Sequence, residues 1–270
     1  SFRKDFFPEY KAQREATPEP IIFAVPHIKA FLEAMGIEVI EVPRYEADDV
    51  IGTMSVMAER EGFEVIMATP DKDYGQLVTP KVSILAPQRG GGYDEIGPRD
   101  VCEKWKIAEP RQLIDILALM GDSADNFPGV PGIGPVMAAK LIAEYGSIET
   151  MIEHAHEIKG SAGDKVRNNI ENALVSKRLA TIALDAPVEF KPQDYEVVRP
   201  NLEALRAVLE PLELRTAMNN MQRYYEQMVP TQEQTEQEKQ TEEPVRTSET
   251  EDFGELFASA EEQSSKAVPP

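Results

Sequence analysis

The chain has 270 residues, 41% of them hydrophobic, enough for one large domain or two small ones with a real core. Its formal charge of −20 argues against a nucleic-acid interface made of one broad basic face, though not against a local basic strip or acids that hold cations. A single cysteine, Cys102, excludes an intramolecular disulfide framework and suits a reducing cytosol, and no apolar run reaches membrane-spanning or signal-peptide form.

Residues 1–16 mix bases with aromatics, and Pro18 and Pro20 end whatever helix they form. Ile22, Val25, Ile28, Phe31, Leu32 and Met35 recur at helical spacing, so 21–35 is expected to be an amphipathic helix stopped by Gly36. IEVIEV (37–42) reads as a short strand, EADDVIGTMSVMAEREG (46–62) as a second helix and FEVIMAT (63–69) as a strand. PDKDYGQLV opens a short helix, KVSILAP (81–87) is a third strand, and RGGGYDEIG is a turn-rich connection. Helices follow near 98–106, 110–120 and 135–145, the stretch 121–185 reads as largely helical, and 202–228 adds further helices. The alternation predicts an α/β fold around a parallel sheet. From Thr231 to Pro270 eleven acids and three bases accompany few apolar residues, which predicts a disordered tail holding −8 of the charge.

Three acidic groups carry the chemistry: Glu46, Asp48 and Asp49 at a helix start, Asp71 and Asp73 after a strand, and Asp122 and Asp125 after a helix end. Ligands of open α/β sheets bind beyond the carboxyl ends of the strands. Carboxylates gathered there repel unless a cation joins them, and oxygen ligands without His or Cys select Mg²⁺ or Mn²⁺ over zinc. Two such ions about 4 Å apart are a usual tool for hydrolysing phosphate esters. Taken singly each group has a plainer reading: EADD as a helix cap, DKD as a turn or cap, GDSADN as an Asx-turn. His27, His154 and His156 lack partners at ligand spacing and read as surface or packing residues; Cys102 and Trp105 read as buried structure.

GDSADNFPGVPGIGP (121–135) joins the third acidic group to a Gly/Pro hairpin between two helices. Backbone N–H groups exposed near a helix N-terminus suit phosphate, and such a unit grips a nucleic-acid backbone without reading bases. An ordinary interhelical turn is the alternative.

YEADDVIGT, ATPDKDYGQLV and ALMGDSADNFPGVPGIG together closely resemble the 5′-nuclease (flap endonuclease) superfamily, and within it the 5′→3′ exonuclease domain at the N-terminus of bacterial DNA polymerase I. The resemblance covers roughly 1–228. It implies a PIN-like α/β nuclease domain over 1–120, a helix–hairpin–helix subdomain over 121–229 and an acidic linker over 230–270. It implies two Mg²⁺ or Mn²⁺ ions held by Glu46, Asp48, Asp49, Asp71, Asp73, Asp122 and Asp125. FRKDFFPEYKAQR resembles the family's helical arch, where Lys11 and Arg14 match the basic pair at the scissile phosphate and Tyr10 an aromatic that stacks on a base. Gly129, Gly132 and Gly134 match the hairpin that holds duplex phosphates and a monovalent cation such as K⁺, and Lys140 joins this DNA-binding set. Without the resemblance, Lys11 and Arg14 read as a solvated helix face.

The expected substrate is DNA with a 5′ flap, nick or gap, the partner a polymerase domain downstream in the same chain, and the setting a monomer in the bacterial cytoplasm and nucleoid. Family members begin with two strands, each ending in an aspartate, that would precede Ser1; on that basis the chain as given is expected to cleave poorly. The competing expectations are a stand-alone flap endonuclease and a non-catalytic duplex-binding fragment. Retention of all seven acids argues against the last, since backbone binding gains from their removal. Lys165 and Arg167 read equally as phosphate contacts or a solvated face, and EDFGELF (251–257) as incidental composition or a docking segment.

Overall fold

Prolines open the first long helix rather than break it. In the computed structural model, which describes residues 1–227, α1 spans Glu19–Ala34 with Pro18 as its N-cap and Pro20 in its first turn, where the missing N–H has no intrahelical partner. Its apolar stripe is only partly covered: Ala34 is buried and Phe31 and Leu32 half-buried, whereas Ile22, Val25 and Ile28 are exposed. The disordered-tail expectation and the 251–257 segment lie outside the described residues.

IEVIEV does not form the expected strand. Alternation gives a segment strand character, but a strand exists only when a neighbour accepts its ladder of hydrogen bonds. Among the described residues the sheet has three strands in the order β1 (Val65–Ala68), β2 (Val82–Pro87), β3 (Tyr93–Ile96), and 37–42 pairs with none of them. The sheet is mixed rather than parallel. β1 and β2 run parallel in the register Val65↔Val82, while β2 and β3 form an antiparallel hairpin from Ile84↔Ile96 to Pro87↔Tyr93. Its turn is the glycine run, with Gly90, Gly91 and Gly92 all at positive φ. YDEI lacked a strand signal because three of its four residues face solvent, so no apolar alternation marks them.

Helix α2 (Ala47–Arg60) precedes β1, and a 3-10 turn over Lys72–Leu77 follows it. After β3 come α3 (Pro98–Trp105), a 3-10 turn at Pro110–Gln112 and α4 (Leu113–Met120). Seven of the eight residues of α4 are buried, and it sits in one core cluster with Met67, Val82 and Ile84 of the sheet. The expected helical stretch is present as α5 (Pro135–Tyr145), α6 (Ile148–Glu153), α7 (Gly160–Arg167) and α8 (Ile170–Ala180). α8 lies along α4, and α9 (Leu202–Leu209) lies along α1, where Asn201 N–H donates to Ala34 C=O at 2.8 Å. α10 spans Arg215–Gln227. Among the described residues no helix is long and apolar enough to cross a membrane.

The segment leaving α8 is sewn to the sheet side by side chains. Gln76 Nε2 donates to Ala180 C=O at 3.0 Å while its Oε1 accepts Ile182 N–H, and Thr53 Oγ1 accepts Ala186 N–H at 3.1 Å. A crossing loop buried in this way has to find partners for its backbone groups, and two polar side chains supply them.

The N-terminal segment is not a helical arch. Phe2–Asp5 makes one 3-10 turn, and turns continue to Gln13. Pro8 interrupts any helix, and the aromatics fold inward: Tyr10 is 2% exposed, with Phe6 and Phe7 packed against the same core.

Candidate functional site

Six carboxylates from three segments line one open cleft of about 590 Å³: Glu46 and Asp48, Asp71 and Asp73, Asp122 and Asp125. Lys11, Arg14 and Lys72 line it as well, so six acids against three cations leave a formal −3. Asp71 and Asp73 stand just past the carboxyl end of β1 as expected, whereas the first group sits at the N-terminus of α2 without a strand before it.

Asp49 is not in the cleft, which corrects its expected place among the metal ligands. It is 0% exposed and every lone-pair direction it has is engaged. Oδ1 accepts from Arg3 Nη2 (2.7 Å) and Ala183 N–H (2.9 Å); Oδ2 accepts from Arg3 Nη1 (2.8 Å) and Glu46 N–H (3.0 Å). Arg3, itself buried, also donates to Leu179 and Thr181 C=O. Burial works against ionised Asp49, but the guanidinium and the two N–H groups outweigh it and hold its carboxyl below the ordinary value.

The bland reading of the third group is geometrically true and does not compete with the other. Asp122 Oδ1 accepts Ala124 N–H (2.7 Å) and Asp125 N–H (3.2 Å), an Asx-turn closed by paired backbone bonds between Asp122 and Phe127. That leaves Oδ2 toward the cleft, 3.4 Å from Lys72 Nζ. Asp71 likewise caps its own 3-10 turn by accepting Asp73 N–H.

The basic segment is clamped onto this loop. Lys11 N–H donates to Asp125 C=O, Gln13 Nε2 to Ser123 C=O and Asn126 Nδ2 to Glu9 C=O. Lys11 is 18% exposed, with Nζ 2.5 Å from Glu46 Oε2 and 3.5 Å from Asp125 Oδ2, so it is no solvated helix face. Arg14, half exposed, pairs with Asp125 Oδ1 at 2.6 Å. Tyr10 gives its hydroxyl to Asp125 (3.0 Å) and Glu46 (3.2 Å), and burial with those two charges pushes its pKa up. Its ring has no face open to a base in this arrangement; stacking would need the turn to lift.

Electrostatics divides the acids. Burial opposes charge on Glu46, but Lys11 brings it below the ordinary value. Asp48 is raised by burial and by Asp71, despite the Tyr74 hydroxyl donating to it at 2.8 Å. Asp73 is raised by burial and by Asp71 and Asp122, against the pull of Lys72. Its Oδ1 is buried and makes no hydrogen bond. Among the described residues no three acidic, His or Cys side chains converge as an ion cage; Lys11 and Lys72 pair with the acids there. The donor set still fits a hard divalent cation: it is all oxygen, net negative, and includes a buried oxygen, Asp73 Oδ1, whose partner is the Lys72 ammonium at 3.0 Å. Mg²⁺ keeps several waters and takes one or two carboxylates, so it requires no closed cage.

At the hairpin only part of the expected set faces outward. Gly132 and Gly134 are exposed, as is Lys140, and Lys165 Nζ donates to Gly132 C=O at 3.0 Å. Gly129 is buried, and its N–H donates to Ser176 Oγ at 2.9 Å, so it offers nothing to a phosphate, a correction to its expected role. What requires glycine there is space and hand. A Cβ would lie 2.3 Å from Gly121 N, at φ +57°. Gly129→Ala is therefore expected to cost about 2–4 kcal/mol in a urea titration. Gly134→Ala, where a Cβ meets nothing within 4 Å, should cost within about 0.5 kcal/mol. Equal costs would contradict this division.

Sequence reasoning missed Arg3, Lys72 and Ser176. Lys72 stood between two flagged acids, the place where a charge partner is needed; Arg3 stood in an aromatic run that buries itself. Ser176 carried no signal in the chain.

A small mixed sheet, an acid-lined cleft at its edge and a helix–hairpin–helix beside it define a PIN-like α/β fold of the 5′-nuclease kind. The family described as "5′-3′ exonuclease, N-terminal resolvase-like domain" matches residues 1–106, and that described as "5′-3′ exonuclease, C-terminal SAM fold" matches 108–203. DNA polymerase I of Bacillus subtilis (strain 168) is 38% identical over 223 residues, covering 82% of this chain and 25% of that protein. The thermostable DNA polymerase I of Thermus thermophilus is 40% identical over 220 residues, covering 81% and 26%. The chain thus spans about a quarter of the length of these relatives. The phage T5 5′-exonuclease, solved with divalent metal ions (zinc), shares the fold at TM-score 0.57 and 23% identity over 82% of this chain and 79% of that one. The chain belongs to the 5′-3′ exonuclease family.

Proposed function

We propose that this chain is the Mg²⁺-dependent 5′-3′ exonuclease and flap endonuclease segment of a DNA polymerase I-type protein. It would hydrolyse phosphodiesters near the single-strand/double-strand junction of flapped, nicked or gapped DNA. The observation that carries the reading is the meeting of three acidic segments with Lys11 and Arg14 in one 590 Å³ cleft.

Glu46, Asp48, Asp71, Asp73, Asp122 and Asp125 are the residues that would hold the divalent ions. When bound, these ions supply an activated water and neutralise charge on the phosphoryl oxygens. Lys11 and Arg14 exchange their carboxylate partners for the scissile phosphate, a charge-assisted contact of the kind a guanidinium makes well. Gly132, Gly134, Lys140 and Lys165 hold duplex phosphates, with K⁺ at the hairpin carbonyls, and fix the distance from grip to cut.

The test is a 5′-flap duplex labelled at its 5′ end, with blunt duplex and single strand as comparisons, in Mg²⁺ and in EDTA. Metal-dependent product at the junction supports the reading. Flap binding that is kept or tightened in Asp122→Ala/Asp125→Ala, with no metal-dependent cleavage, favours a backbone-binding fragment instead.

A further inference from the structure

Two ammonium groups span the cleft in the same manner. Lys11 ties Glu46 to Asp125; Lys72 Nζ, 3.0 Å from Asp73 Oδ1 and 3.4 Å from Asp122 Oδ2, ties the second acidic group to the third. Lys11 has a phosphate-facing role in the reading above, and Lys72 has none. Its geometry nevertheless singles it out. Asp73 Oδ1 is buried and makes no hydrogen bond, so its contact with Lys72 is one of charge without alignment. The second contact, at 3.4 Å to Asp122, is also long for a charged pair. Lys72 is 40% exposed on a four-carbon stem and can swing to water at little cost.

Asp73 and Asp122 belong to different chain segments, one fixed by a 3-10 turn and the other by an Asx-turn. They would repel without a cation between them. A single charge at imperfect geometry supplies the minimum, and a divalent ion taking the place of the ammonium beside Asp73 Oδ1 interacts about twice as strongly at equal distance.

We propose that Lys72 is a displaceable internal counter-ion: its ammonium holds Asp73 and Asp122 together, and a divalent cation competes with it for those oxygens. The inference rests on the metal-dependent reading and deepens it. Lys72 sets how much divalent ion the cleft needs before it loads. Once displaced, it remains beside the cleft as a cation while the ions draw in an anionic phosphate.

The experiment is calorimetric titration of Mg²⁺, and of Ca²⁺ as a second probe, into the chain carrying Lys72→Met, Lys72→Gln or Lys72→Arg. Lys104→Met serves as the comparison. Lys104 and Lys72 both line a small cavity of about 50 Å³ behind the second acidic group, but the Lys104 ammonium lies over the Trp105 ring, 5.9 Å from its centroid. Lys72→Met and Lys72→Gln should each bind about tenfold more tightly, equal to about 1.4 kcal/mol. Lys72→Arg should stay within about threefold of wild type and Lys104→Met within about twofold. The temperature of unfolding should fall in Lys72→Met without divalent ion and rise more steeply with it, since loss of the bridge and tighter loading act in opposite directions. Binding unchanged or weakened in Lys72→Met and Lys72→Gln overturns the inference. An equal gain in Lys104→Met does so too, because it reduces the effect to general charge. No binding by wild type or by any variant overturns the metal reading itself, a separate and recognisable failure.

Discussion

Asp122→Asn should lower Mg²⁺-dependent flap cleavage by roughly 100- to 1,000-fold while leaving folding stability within about 0.5 kcal/mol. The separation follows from the two jobs its oxygens do. Oδ1 closes the Asx-turn by accepting Ala124 and Asp125 N–H, and an asparagine Oδ1 accepts the same two bonds. Oδ2 faces the cleft beside Lys72, and there the substitution removes the charge a cation would use. Asp122→Ala should lose both, cleaving as poorly and unfolding earlier by about 1 kcal/mol. Single-turnover cleavage and urea midpoints measured on the same preparations decide it. Cleavage by Asp122→Asn at the wild-type rate would remove this residue from the metal set.

Arg3→Met should destabilise the fold by about 3–5 kcal/mol, because it leaves the Asp49 carboxylate buried without its cation. The pH dependence distinguishes this cause from lost packing. In wild type the folded-state pKa of Asp49 lies below its unfolded value, so its contribution is complete above about pH 4 and disappears only as pH falls through the lowered folded value. In Arg3→Met, burial acts unopposed by a guanidinium and pushes the Asp49 carboxyl up. The folded state then binds a proton more readily than the unfolded one, so the deficit relative to wild type should shrink as pH drops from 7 toward 5. Arg3→Met/Asp49→Asn should recover about 1–2 kcal/mol at pH 7, since a neutral amide keeps an acceptor without an uncompensated charge. A deficit constant with pH, or a double variant no more stable than the single, would show the pair to be mere packing.

The acids of the cleft were legible because a polar residue can announce itself by placement. EADD, DKD and GDSAD each sit where a backbone turn aims side chains outward, and the fold brings six of those seven carboxylates to one place. Asp49 was misassigned because spacing along a chain does not say which neighbour on a helix turn points inward; the inward one finds Arg3, a partner 46 residues away. The strand expected at 37–42 failed for the same kind of reason, since alternation is local and pairing is not. β3 went unseen because an exposed hairpin strand has no apolar period, although its glycine turn was plain. The N-terminal segment was expected to be a helical arch from the family resemblance, but Tyr10, Phe6 and Phe7 gain more by entering the core than a solvated helix gains by forming.

Helix α4 (Leu113–Met120) lies wholly within the second matched stretch, 108–203, yet it shares one core with the sheet of the first, 1–106. Its Leu113 and Ile116 are fully buried in a cluster that includes sheet residues Met67 and Val82 and hairpin-side residues Ile142 and Val166. The two matched stretches thus share one core and are not separate units of folding. With that core shared, heat should dismantle the acid-lined cleft and the hairpin in one cooperative step.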